Sequence, residues 1–109
     1  MKGRSHRRSS ESERILDEVR KWASRVGAAP EAVYVQSMRK KWASCAPPGR
    51  LYFSSDLLSE PRRFRDVVIV HELLHLRIQN HGKLFKSLLN SFVPGWEKEI
   101  EGRANRTCR

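Results

Sequence analysis

Three of the four histidines fall in one stretch, His71-Glu72-Leu73-Leu74-His75-Leu76-Arg77-Ile78-Gln79-Asn80-His81. On a helix, histidines at i and i+4 project from one face, close enough to share a metal ion. Glu72 follows the first of them, where a carboxylate can act as a proton acceptor beside such an ion. With this composition, roughly 0.01 such His-Glu-x-x-His matches are expected by chance. Core histidines are the competing reading of His71 and His75, and a helix-capping polar residue is that of His81.

Helix geometry constrains the third histidine. In a continuous helix His81 would lie about 9 Å along the axis beyond His75. A zinc–nitrogen bond is about 2 Å, so the helix must end soon after His75 and turn back if His81 completes the site. The spacing equals that of longer three-histidine protease motifs, but Ile78 stands at their glycine position. A β-branched residue suits positive φ poorly, so the turn is expected at Asn80 or Gln79, with Asn80 as a left-handed pivot. An acidic third ligand from Glu97, Glu99 or Glu101 is the alternative. Three imidazoles with an open position describe a catalytic zinc site, where water is acidified and Glu72 takes its proton as general base.

Other side chains are weighed against this centre. Cys45 as a thiolate would block the metal and keep the site latent, but a small buried hydrophobe is the simpler reading. Trp42 and Tyr52 are core or cleft wall. Tyr52, Arg39 and Lys41 are candidate oxyanion stabilisers. A strand beside the cleft would bind an extended peptide along its edge.

The elements that must position these groups follow from periodicity. Residues 1–10 read as a basic flexible tail, with Lys2, Arg4, Arg7 and Arg8 and no acid. Ser10 and Glu13 form a capping-box pattern, and Ile15, Leu16, Val19, Trp22, Ala23 and Val26 recur at helical spacing until Gly27. Strands are expected at 33–35, 40–45 and 51–54, the last two joined as a hairpin through Pro47-Pro48-Gly49. A short helical turn follows Asp56. Residues 63–79 predict a helix apolar on nearly all sides, hence buried, which places His71, Glu72 and His75 in the interior at a desolvation cost. Helices over 82–92 and from Trp96 to about 103 complete the chain.

At 109 residues with 39% hydrophobic content, the chain holds one modest core, so residues 11–109 read as a single soluble domain. The net charge of +10 points to a polyanionic partner, such as nucleic acid on a basic surface, or simply to a solvated basic face. There is no secretory core or membrane span, and Cys45 and Cys108 suggest no disulfide framework, so a cytoplasmic location is expected.

The run Met38-Arg39-Lys40-Lys41-Trp42-Ala43-Ser44-Cys45, then Val70-His71-Glu72-Leu73-Leu74-His75-Leu76, then Asn80-His81 and Phe85, resembles the YgjP-like metal-dependent hydrolase family. That family is grouped with small zinc metallopeptidases and related to SprT-like proteases. The resemblance covers about residues 33 to 97 and implies His71, His75 and His81 as zinc ligands with Glu72 catalytic. Ala43 departs from the family's glycine, which bears on how closely a substrate backbone approaches. The chain also lacks the β-rich N-terminal extension of longer relatives, so it resembles a minimal version.

The resulting expectation is an α+β, minimal zincin-like domain. A small, mostly antiparallel sheet packs on the buried histidine helix, with helices flanking at both ends. Its expected activity is that of a zinc metallopeptidase with one Zn2+ per chain, acting on peptide or protein. Two rivals are a metal-dependent nucleotide phosphohydrolase and a zinc-stabilised nucleic-acid-binding module without catalysis.

Overall fold

The apolar stripe Ile15, Val19, Trp22 and Val26 is buried along the first helix, α1 (His6–Val26). The computed structural model describes residues 6–101 and 107–108. Gly27 ends α1 in the left-handed region at φ 78°, and its N–H reaches the Ala23 carbonyl at 2.9 Å. The helix begins at His6, inside the stretch read as a tail through residue 10. No glycine or proline interrupts residues 6–26, so helix propagates past the Ser10 capping signal. Residues 1–5 of the expected tail lie outside the described residues.

Three strands follow: β1 (Ala32–Gln36), β2 (Lys41–Ala46) and β3 (Arg50–Ser54). A two-residue strand, β4 (Thr107–Cys108), joins them in the order β1-β3-β2-β4. The β2–β3 hairpin is antiparallel as expected, closed by the Gly49 N–H on the Ala46 carbonyl. Both other pairings, β1–β3 and β2–β4, are parallel, so the sheet is mixed rather than mostly antiparallel. The strand richest in core residues takes the middle: Leu51 and Phe53 of β3 are fully buried, and β3 pairs on both edges. β4 had no signal in the sequence, because two residues carry no periodicity.

After a 3₁₀ turn over Ser55–Ser59 come α2 (Arg62–His75), α3 (Lys83–Phe92) and α4 (Trp96–Ile100). The expected extension of the last helix to about residue 103 lies partly outside the described residues. Helix α2 is the centre of the molecule: Ile69, Val70 and Leu73 are fully buried, and Phe64, Val67, Val68 and Leu74 nearly so. Each such apolar side chain contributes roughly 1.5–3 kcal/mol. Their sum is what allows Glu72, fully buried on the same helix, to be carried inside.

Polar clasps fix the angle of α2. The Arg65 guanidinium donates to both carboxylate oxygens of Glu18 on α1, at 3.0 and 2.8 Å. The Trp22 indole N–H donates to Asp66 at 2.9 Å. Glu18's hydrogen bonds raise the pKa of Arg65, so this clasp stays charged. At α4, Arg63 pairs with Glu99 at 3.1 Å and donates to the Pro94 carbonyl. No described helix is long and apolar enough to cross a membrane.

Candidate metal centre

The last turn of α2 presents His71 and His75 on one face, as the i, i+4 spacing requires. The helix then stops at His75, four residues short of the expected end. The N–H groups of Leu76 and Arg77 bond back to the carbonyls of Leu73 and Leu74 at 3.1 and 2.9 Å, a tightened final turn. Leu76 and Ile78 pack against the core, and Arg77 donates to the Val26 carbonyl at 3.2 Å. These tertiary contacts draw the chain off the helical path where local propensity alone would continue it.

The return of His81 occurs without the expected left-handed pivot. No described residue other than glycine has positive φ, so the reversal is spread over Leu76 to His81. Asn80 contributes through its side chain instead: its Oδ1 accepts from the Gly82 N–H at 3.3 Å.

The outcome is a convergence of three ring nitrogens. His81 Nε2 lies 3.2 Å from His71 Nε2 and 2.9 Å from His75 Nε2. One ligand nitrogen from each ring lies within 4.8 Å of the others. A single ring nitrogen carries either one N–H or one lone pair, so His81 Nε2 cannot hydrogen-bond to both neighbours. A shared cation resolves the conflict. Around tetrahedral zinc, with bonds of about 2.0–2.1 Å, ligand nitrogens stand about 3.3–3.4 Å apart, near the spacing found. His71 and His75 are half-buried and His81 is exposed, so the cluster is open to solvent on the His81 side.

Glu72 lies beneath this face, fully buried, with Oε2 3.4 Å from His71 Nδ1. That carboxylate lies against the flank of a ring whose Nε2 faces the other two histidines. Phe85 of α3 forms the wall, with its ring 5.3, 5.0 and 4.7 Å from those of His71, His75 and His81. The resemblance named it without a role, and nothing in helical spacing shows that one aromatic ring touches all three imidazoles. Truncating it in Phe85→Ala is expected to cost about 3–5 kcal/mol of stability. Zinc affinity should fall about 10–100-fold as the rings lose their support. A melt combined with a chelator-competition titration checks both, and unchanged affinity would deny Phe85 the role.

A groove of 560 Å³ opens beside His75, lined by Cys45 to Gly49, Leu76 and Gln79. Cys45 is half-buried there but is not part of the histidine cluster. Trp42 is buried edge-on against Phe64, 5.1 Å away, and is core. Tyr52 stacks on Tyr34 at 5.1 Å and alternates with the buried Leu51 and Phe53, so it points to the sheet face away from α2. Arg39 and Lys41 are exposed. Ala43 is fully buried opposite Phe53, so its methyl group fills core space. The outer edge of β2 is met at Lys41 and Ala43 by β4, so that stretch of edge is already paired. Of the alternative acidic ligands, Glu99 is held by Arg63, and the described cluster contains no carboxylate.

The sequence matches the family profile described as YgjP-like, metallopeptidase domain, over residues 4–101. The chain belongs to the YgjP-like metallopeptidase-domain family. It is thereby a hydrolase of metallopeptidase type, a class that works with a metal ion. Among solved structures, the YgjP-like chain is similar to one titled "Crystal structure of the metallopeptidase zymogen of Pyrococcus abyssi abylysin", with a TM-score of 0.72 at 20% identity. The match covers 87% of this chain and 99% of that one, a likeness of fold. No curated protein sequence matches.

Proposed function

We propose that this YgjP-like protein is a zinc-dependent peptidase in which His71, His75 and His81 hold one zinc ion per chain and Glu72 is the general base. The observation that carries the reading is the meeting of three Nε2 atoms at a solvent-facing point above a fully buried glutamate. Zinc, when bound, supplies Lewis-acid polarisation and lowers the pKa of water towards neutrality. Glu72 holds a proton at its carboxylate during attack and passes it to the leaving amine. Its burial excludes bulk water, so the carboxylate acts in a low-dielectric setting where proton transfer is not diluted by solvent. The groove beside His75 is lined by no aspartate, glutamate, lysine or arginine, which suits an extended peptide with neutral side chains.

Zinc measured in the purified protein is expected at one equivalent, with cleavage of an unfolded protein such as casein. Chelation should abolish cleavage and lower the melting temperature, because the ion binds only the folded chain. Stoichiometric zinc with no cleavage of any unfolded protein would remove the peptidase part. Phosphate release from nucleoside triphosphates in its place would favour the phosphohydrolase rival.

A further inference from the structure

A second concave site lies between α1 and α2, at the opposite end of α2 from the histidines. This groove of 540 Å³ is lined by Glu18, Lys21, Trp22, Arg25, Arg62 and Asp66. Arg62 precedes His71 by nine residues, about 13 Å along the helix axis. Both acids are engaged inward: Glu18 is held at two oxygens by Arg65, and Asp66 accepts the Trp22 N–H. Lys21, Arg25 and Arg62 are exposed and form no ion pair among the described residues. The Arg25 guanidinium lies 4.3 Å over the Trp22 ring. Such stacking fixes the guanidinium plane while leaving its N–H donors for an anion.

The positive charge extends beyond the groove. Arg14, Lys21 and Arg25 stand at i, i+7 and i+11 on α1, one stripe along the flank of its buried face. We propose that this groove and stripe bind the phosphate backbone of a nucleic-acid strand, at a site separate from the metal centre. A strand places negative charge at repeated steps, which matches a row of cations better than an isolated phosphate does. The chain's net charge of +10 adds a long-range attraction for such a polyanion. The inference does not depend on the histidines or on hydrolysis.

Fluorescence anisotropy of a labelled single-stranded oligonucleotide, over a salt series, tests it. The triple variant Lys21→Ala/Arg25→Ala/Arg62→Ala should bind more than about tenfold more weakly. Its slope of log K against log salt should be shallower by about 2, for three lost contacts at about 0.7 each. A control triple, Lys40→Ala/Lys86→Ala/Lys98→Ala, removes equal charge elsewhere and should change binding by less than about threefold. The double variant Lys21→Ala/Arg62→Ala leaves the Arg25–Trp22 stack intact and carries the test if the triple does not fold, with a slope change of about 1.4. Equal loss in groove and control variants, or no binding by the parent chain, overturns the proposal. So does displacement by polyglutamate as efficient as by unlabelled oligonucleotide, which would indicate an acidic protein partner. Casein cleavage by the groove variants should match the parent, so failure here is separable from failure of the metal reading.

Discussion

Replacing Glu72 by glutamine lowers peptide cleavage by about 10²–10⁴-fold while zinc content stays at one equivalent. That range is the usual contribution of a positioned general base. Glutamine has the same shape but cannot take a proton. Glu72 is fully buried, so neutralising it also relieves a desolvation cost, and the metal-free variant should melt no lower than the parent. This separates a catalytic role from a structural one, because a structural carboxylate would reveal itself as lost stability. Cleavage by Glu72→Gln within about threefold of the parent would remove Glu72 from the mechanism, given the range expected for a general base.

The second large effect is expected from His81→Ala. His81 is exposed and lies in the segment after α2, so its removal leaves the core untouched. Zinc affinity, however, should fall by more than about 100-fold, since losing even an outer supporting partner costs about 10–100-fold. At free zinc of 100 times the parent's Kd, the ion stabilises the parent by about 2.7 kcal/mol, and the variant should lose most of that increment. The metal-free proteins should melt alike. If instead His81→Ala retains zinc and a Glu97, Glu99 or Glu101 variant loses it, the third ligand is acidic.

Much of this centre was legible because helix geometry is rigid. The four-residue spacing placed His71 and His75 together, and the rise per residue required a break before His81. What local chemistry could not supply was the manner of the break. Asn80 is the residue best suited to a left-handed pivot, yet the reversal from Leu76 to His81 uses no positive φ. The force behind it is remote: Leu76 and Ile78 pack into the core and Arg77 reaches the end of α1. The parallel pairing of β1 with β3 was hidden for a related reason. Hairpin signals report neighbours in sequence, whereas the central place of β3 comes from burial of Leu51 and Phe53 against distant helices. Phe85 stood out in the sequence only through the family resemblance, and its contact with three imidazoles exists only once α3 is docked. The α1–α2 groove was equally invisible, because charge in a sequence does not say which acids are already engaged.

The central claim is that three imidazoles share one metal ion. X-ray absorption at the zinc edge of the purified protein addresses it directly, since outer-shell scattering counts the imidazole rings. Three imidazole nitrogens at about 2.0–2.1 Å with one oxygen donor from water are expected. Two imidazoles with a carboxylate, or a sulfur donor at about 2.3 Å, would contradict the account.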